Sequence, residues 1–541
     1  MALMFAPLLA AALAQFTPAP SASASPVVPP SPVASPVTSP SVSPGAPLTL
    51  STTSVNLNPA QQSVVTVTGA AAPLQLTLDR RLVTVAADPA GTSLTITASQ
   101  ATGSDVLHVT DANGASADVN IRVAFNAGTI VGQTTLTVTG NPAQPDWLAQ
   151  QITQWVTRLT QALPGASVTI GAVTPPSAPL SPGGTAQFSV PVQISGNGQY
   201  FDQTATTTVN VQNTPLQPFT PGLLFYDDDP EHVSQDGVLF RGSVTAAQPA
   251  RIYYYHDNTA DPRRLVVALE SMGQSPASVQ LIHASAGPNI DVMTVGQAVT
   301  KKFLLTKNQQ EGIVVDLSGD QPYLLTDLTM TSRQLVAGSA DIRVLSGGPV
   351  EVTVMGVSPG IDPRTLLAGP VLPGDGHHRT GTFSIAGFGA DNLRYAIGSD
   401  DATVVLGDTD PTPPNVTPSA GGHDYGDYGI VHTIAVTLEN PTAAPAAAYL
   451  YVQPLAGPAR GSFLVDGNPV DIGCVRVPSK YQVTAFDLPP GQSTHVVQTM
   501  TDGGSFYPVR LGVTATAPEP SAPPVNAPDG CFPKPQAPAN Q

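Results

Sequence analysis

Apolar and polar positions alternate with a period of two through most of this chain. That period marks half-buried strands, because successive side chains point to opposite faces of a sheet. Between residues 48 and 124 it recurs in Val64–Thr68, Leu74–Leu78, Leu94–Thr97, Val106–Thr110 and Val119–Val123. The turn Asp111-Ala-Asn-Gly114 separates the last two runs, as a hairpin requires. About seven short strands in so little chain predict a small sandwich. The period changes once, between residues 125 and 213. There Leu148, Ile152, Trp155, Val156, Leu159 and Leu163 share one face of a helix that opens at Pro145 and stops at Pro164-Gly165. It is the one segment whose pattern predicts a helix, and it carries both tryptophans, Trp147 and Trp155, expected to pack in a core. Strand patterns follow at Ser167–Ile170, Ala186–Ile194 and Tyr200–Val211, so 125–213 reads as a small α+β domain.

From 219 to 515 the strand pattern returns, for example at Arg251–His256, Arg264–Glu270, Ser278–Ala284, Val350–Val357, Ile430–Glu439, Ala448–Pro454 and Val509–Ala515. The spacing predicts two sandwiches, 219–357 and 358–515, meeting near Ser358–Gly376. Pro411 to Pro414 and Pro418 interrupt the second with a long loop. The expected fold class is mostly β: tandem β-sandwiches with one small α+β domain. On the run Tyr253-Tyr-Tyr255, alternation places Tyr253 and Tyr255 on one face and Tyr254 on the other. One of those faces is expected to be core and the other half-exposed.

Both ends have a different texture. Residues 1–14 are apolar and finish in Ala12-Leu-Ala14, which fits an export signal cleaved before Gln15. No Lys or Arg precedes the apolar run, which is atypical for such a signal. Residues 15–47 are mostly Pro, Ser, Ala, Val and Thr and read as a semi-rigid tether. Residues 516–541 return to Pro and Ala as a tail. No other stretch approaches the length of a membrane-spanning helix. The expected location is secreted, at the cell surface or in the periplasm.

Charge narrows the partners. The formal net charge is −17 with a pI near 4.7, and no basic run exists to displace counterions from phosphates, so nucleic acid is not an expected partner. A cell-surface polymer or another surface protein is. The two cysteines, Cys474 and Cys531, are expected to form a disulfide in an exported protein.

Two resemblances to known families add to this. Ser51-Thr-Thr-Ser-Val-Asn-Leu-Asn-Pro59, the repeated Val-Thr pairs and the Thr110-Asp-Ala-Asn-Gly114 hairpin resemble bacterial Ig-like domains of the pilus-formation N-terminal type. That resemblance implies a spacer or adhesive module over residues 48–124. Residues 219–515 resemble a family of exported proteins found beside copper amine oxidase N-terminal or stalk domains. The matching stretches are Leu224–Glu231, Gly237–Phe240, Arg251–His256, Gly369–Pro373, Arg379–Phe383 and Tyr425–Gly429. The family takes its name from a neighbouring domain absent here, so the resemblance implies neither copper nor amine oxidation, and no cofactor is expected.

Candidate chemistry is sparse. The run Asp227, Asp228, Asp229, Pro230, Glu231, His232 is the densest polar cluster, but consecutive carboxylates on a strand diverge and the spaced calcium-loop pattern is missing. It is expected to be a solvated turn. Asp400, Asp401, Asp408 and Asp410 are expected in an exposed loop. The pairs His377-His378 and His423-Asp424 lack a third ligand in sequence, so no metal site is expected, and no catalytic set is identified. The stretches Gly222–His232 and His423–Gly429, both rich in Asp, His, Tyr and Gly, are expected to meet. Asp227, Asp229, His423, Tyr425 and Tyr428 would then form a polar seam between the C-terminal sandwiches, with ligand binding there as the second reading. These patterns lead to an exported, non-enzymatic surface protein with a structural or adhesive role. The alternative is an extracellular polysaccharide-binding protein or hydrolase acting on wall or matrix material.

Overall fold

Val, Thr and Ile dominate the alternating segments, and their branched side chains suit a pleated sheet better than a helix. Strands accordingly carry most of the fold. The computed structural model describes residues 47–520 and Cys531, apart from 260, 274, 320, 408–411 and 418–421. The expected export signal, residues 15–46 of the tether, Asp408, Asp410, Pro411, Pro418 and nearly all of the Pro-rich tail lie outside the described residues. The chain divides into two units between Ala124 and Phe125.

The first unit is a sandwich of two four-stranded sheets. One is ordered Thr49–Leu50, Gln62–Thr68, Ser93–Ala98, Val83–Ala87; the other Ser54–Leu57, Ser116–Val123, Gly103–Thr110, Gln75–Leu78. The inward alternates, among them Leu57, Val65, Leu94, Ile96, Leu107, Val119 and Ile121, are buried in one core.

The second unit is built on a ten-stranded mixed sheet. Its order is Ser167–Ile170, Thr185–Ser195, Gln203–Asn213, Gln133–Thr139, Gly312–Leu317, Ala277–Asn289, Gln334–Ser346, Ala250–Asn258, Leu223–Asp227, Thr380–Ser384. This differs from the expected partition into three domains. Gln133–Thr139 pairs with both Gln203–Asn213 and Gly312–Leu317, so the stretch expected as an α+β domain and the stretch expected as a first sandwich share one sheet. Thr380–Ser384 joins the same sheet beside Leu223–Asp227, so the expected junction at Ser358–Gly376 does not separate two sheets either. Unpaired backbone groups at a sheet edge attract another strand, and nothing in a strand's own alternation tells where that partner lies along the chain.

Four bodies cover this sheet. Helix α1, Pro145–Leu159, buries Leu148, Ile152 and Val156 against Val138, Val190 and Val209. A four-stranded sheet of Gly237–Val244, Val350–Val357, Arg263–Ser271 and Tyr323–Met330 covers one face of the central strands, where Phe225, Ile252, Tyr254, Leu281 and Ile342 meet Leu239, Leu265 and Val352. The opposite face meets helix α2, Val292–Asn308, and residues of a C-terminal sandwich of two five-stranded sheets. Tyr253 and Tyr255 point to the α2 side and Tyr254 to the other. The alternation is as expected, but both faces are core and all three rings are buried.

Helix α2 was not expected. Its sequence, Val-Met-Thr-Val-Gly-Gln-Ala-Val-Thr, is β-branched and carries a glycine, so local propensity favours a strand. Two features override it. The Asp291 side chain caps the helix, accepting from the Thr294 N–H at 3.1 Å and the Thr294 hydroxyl at 2.6 Å. Packing on both sides then buries Met293, Val295, Val299, Phe303 and Leu304. Gly296 permits that packing, since a Cβ there would lie 2.1 Å from the Gly503 carbonyl oxygen. No helix among the described residues is long and apolar enough to cross a membrane.

Cys474 and Cys531 form a disulfide, with Cα atoms 5.2 Å apart across 57 residues of sequence. It ties the Asn468–Val475 strand to a point beyond the last described strand, and the Arg476 guanidinium donates to the Cys531 carbonyl at 3.0 Å. Replacing both cysteines by serine should lower stability by about 4 kcal/mol in the loop-entropy model, measured by denaturant titration. Alkylation without reductant should label neither cysteine of the native chain.

Candidate functional site

The acidic segment begins where Leu223–Asp227 runs off the sheet. Asp227 is the last residue of that strand, so its carboxylate stays inside, fully buried, with Oδ2 3.1 Å from His256 Nε2. The other ring nitrogen, Nδ1, lies 2.9 Å from the Pro230 carbonyl. An imidazole set between a carbonyl and a carboxylate satisfies both only when it donates from both nitrogens. Burial works most strongly against the charged ring, but Asp227, Asp228 and the Pro230 carbonyl together outweigh it and raise the His256 pKa. Burial, against the pull of His256, pushes the Asp228 carboxyl up to about 8; Oδ2 of Asp228 accepts from the Tyr226 hydroxyl at 3.2 Å. The expected solvated turn is therefore solvated only in part: Asp227 is buried, Asp228 to Glu231 are half-buried and His232 is exposed.

The rest of the segment is laid along the neighbouring strand and clasped by a second loop. The Asp257 N–H donates to the Glu231 carbonyl and the Val233 N–H to the Asp257 carbonyl, both at 2.9 Å. His232 Nδ1 lies 2.6 Å from Asp257 Oδ1. Asp229 accepts from the Asp375 N–H at 2.5 Å. His378 then bridges the two loops, with Nδ1 2.7 Å from Asp375 and Nε2 2.7 Å from Glu231. Adjacent histidines diverge on an extended chain, and of the pair His377-His378 only His378 enters this cluster. Among the described residues no group of three or more His, Cys, Asp or Glu side chains is arranged to hold a metal ion.

The two loops expected to meet do so, but through other atoms than expected. Tyr226 lies parallel to Tyr428 with ring centroids 6.2 Å apart, and Tyr253 lies 6.5 Å from Tyr428. The Tyr428 hydroxyl donates to the Ser505 carbonyl at 2.7 Å. Gly429 sits over Leu224 and the Tyr253 Cβ, where a side chain would lie within about 3 Å of both, and its φ is +81°. Of the five residues named for the seam, only Tyr428 belongs to it. Asp227 and Asp229 turn to His256 and Asp375. His423 and Tyr425 are exposed on the outer side of their loop with centroids 5.9 Å apart, and the Arg379 guanidinium donates to the Tyr425 carbonyl. Alternation explains the split: residue 226 faces the seam, so residue 227 must face away.

Sequence reasoning missed the charged residues that close the seam. Arg251 reaches Asp341 with Nε at 2.6 Å and Nη2 at 3.1 Å, donates from Nη1 to the Gly429 carbonyl at 2.8 Å, and lies 4.9 Å from the Phe303 ring centroid. Lys307 of α2 lies 2.7 Å from the same Asp341. Below the seam, buried His432 has Nε2 3.3 Å from Asp427 and Nδ1 3.5 Å from Asp391. Burial opposes its charge, yet the two carboxylates lift it to about 9. Burial and the neighbouring Asp427 keep the Asp424 carboxyl well above its ordinary range. The signals available in sequence were single charged residues inside strand patterns, Arg251, Asp341 and His432, and a buried charge needs a partner.

Comparison with known proteins finds no matching family model and no matching curated protein. Solved structures match weakly. A tri-modular endo-beta-1,4-glucanase from Bacillus licheniformis, complexed with cellotetraose, is 12% identical over 31% of this chain at a TM-score of 0.13, and the match spans 39% of that chain. An I-band fragment of titin is 9% identical over 53% of this chain and 97% of its own, at 0.14. The SGBP-B protein of the Bacteroides ovatus mixed-linkage glucan utilization locus, in complex with a mixed-linkage heptasaccharide, is 10% identical over 56% of this chain and 72% of its own, at 0.13. Scores this low define no shared overall arrangement.

Two outcomes follow from the geometry. Tyr428→Ala should destabilise by about 2–4 kcal/mol through lost packing and a lost hydrogen bond, whereas Tyr425→Ala should stay within about 0.5 kcal/mol; chemical denaturation of the two variants separates them. The second concerns pH. His432 and Asp228 bind protons more tightly in the folded chain than at their ordinary values of 6.5 and 3.8. Their stabilisation is whole below those ordinary values and is lost as pH rises through about 9 and about 8. Thermal melts should therefore show falling stability from about pH 4 to about pH 9, and His432→Gln should flatten the upper part of that slope.

Proposed function

We propose that this chain is an exported, non-enzymatic surface protein with a structural or adhesive role. The observation that supports this reading is how the C-terminal sandwich is held to the ten-stranded sheet. Helix α2 lies between them and is anchored to both. The Arg460 guanidinium donates to Thr294 at 2.7 Å and approaches Asp291 at 3.2 Å; Lys301 pairs with Asp471; Gln297 donates to the Ile472 carbonyl at 2.9 Å. A module that holds surfaces apart or together must keep its parts in fixed relation under load, and these contacts serve that. The disulfide fits an oxidising compartment. The resemblance of 48–124 to bacterial Ig-like domains, and of 219–515 to an exported family, belongs to the same proposal.

Protease treatment of intact cells producing the chain is the test. The protein should be digested from outside, or recovered in the medium, with Gln15 at its mature N-terminus. Recovery of the intact chain with Met1 from the cytosol alone would overturn the reading.

A further inference from the structure

The first unit carries a polar cleft of about 340 Å3. Its floor is the outer face of the sheet containing Ser54–Leu57, Ser116–Val123 and Gly103–Thr110. Strand register composes that floor. Ser54 pairs with Asn120, and Asn120 with Val106; Asn56 pairs with Arg122, and Arg122 with Ser104. Period two turns these side chains outward together, while their neighbours Val55, Val119, Ile121 and Leu107 fill the core.

The wall is the turn at Asp79 and Arg80, and it is pinned from beneath. Asp105 is buried, and its carboxylate accepts from the N–H groups of Arg80 and Leu82 at 2.8 Å and from its neighbour Val106 at 2.9 Å. Asp79 is offset in part by His108, which it shares with Asp118: the ring lies 3.2 Å from Asp79 and 2.7 Å from Asp118. Residues 47–124 contain three basic side chains, Arg80, Arg81 and Arg122, and no lysine. Two of the three line this cleft, in a chain of net charge −17. The cationic groups of the sandwich are thus gathered where amides and hydroxyls already converge.

That set of groups suits one ligand chemistry. Side-chain amides offer a donor and an acceptor side by side, which matches adjacent hydroxyls of a sugar ring. A guanidinium forks onto a carboxylate in a geometry that an ammonium does not offer. The volume falls near the lower end of ligand pockets, about 300–1,000 Å3. We propose that this cleft binds a uronic-acid unit of a carboxylated polysaccharide, with Arg80 and Arg122 on the carboxylate and Ser54, Asn56 and Asn120 on ring hydroxyls. The biological setting rests on the surface-protein reading above; the binding chemistry does not.

The test is calorimetric titration of the full-length mature protein with polygalacturonate oligomers. A neutral maltooligosaccharide and inorganic polyphosphate serve as controls. Polygalacturonate should bind, more weakly as salt rises, and neither control should match it. Arg122→Gln, Arg80→Gln and Asn120→Ala, each checked for an unchanged melting temperature, should weaken binding about tenfold or more. Should Arg122→Gln fail to fold, the other two variants, at exposed positions, carry the test. Absence of binding by the unmutated protein overturns the proposal. So does equal binding of the neutral glycan or of polyphosphate, or unchanged affinity in folded variants. Protease accessibility on intact cells is read separately, so a failed titration with a surface-exposed chain sinks this inference and leaves the surface reading standing.

Discussion

The second unit depends on one buried charge being satisfied, that of Asp341. The carboxylate sits in the middle of the ten-stranded sheet with no exposure to solvent. It is tolerable there because Arg251 meets it from the next strand and Lys307 from α2. Burial alone would raise its pKa, and the two cations reverse that and hold it below the ordinary carboxylate value. An isolated buried charge costs several kcal/mol, so such a group fixes where its partners must be. Arg251 passes that constraint on: its remaining N–H reaches the Gly429 carbonyl, and its plane lies near Phe303. The sheet, the helix and the loop leading into the C-terminal sandwich are registered on one guanidinium.

The same logic orders the polar groups around the seam. His256 and His378 each stand between two oxygen acceptors, and His432 stands between two carboxylates. Each imidazole is therefore more useful charged than neutral. The acidic run that looks like a surface feature in the sequence supplies two of these acceptors, Asp227 to His256 and Glu231 to His378, while Asp228 and Asp229 turn to the Tyr226 hydroxyl and the Asp375 N–H.

The strand content was legible because period two survives in nearly every segment, and the N-terminal sandwich because all its partners lie within 80 residues or so of one another. Helix α1 was legible from its amphipathic face, whereas α2 was not. It is buried on more than one side, so Val295, Val299 and Thr300 leave no polar stripe to reveal a helical period. The domain limits beyond residue 125 failed for a different reason. The pairing of Gln133–Thr139 with Gly312–Leu317 joins segments far apart in the chain, and neither strand's own pattern names its neighbour. At the candidate site, the closeness of the 222–232 and 423–429 loops was read from their shared Asp, His, Tyr and Gly content. The atoms were misassigned because Tyr226 and Asp227 occupy opposite faces of one strand. Asp341 showed only as a lone charge inside a strand pattern, and Lys307, on the unexpected helix, gave no local sign.

The shared sheet also governs how the protein can be dissected. A fragment ending at residue 213 would strip Gln133–Thr139 of one of its two neighbours, and a fragment beginning at 219 would do the same to Gly312–Leu317. Each cut would turn an interior strand into an edge offering a bare row of amides and carbonyls, which recruits other chains. The boundary that respects the hydrogen bonding lies at Ala124 and Phe125. Gene fusions, insertions or exchanges that treat the segments on either side of residue 213 as separable cassettes would trade a continuous sheet for aggregation-prone halves.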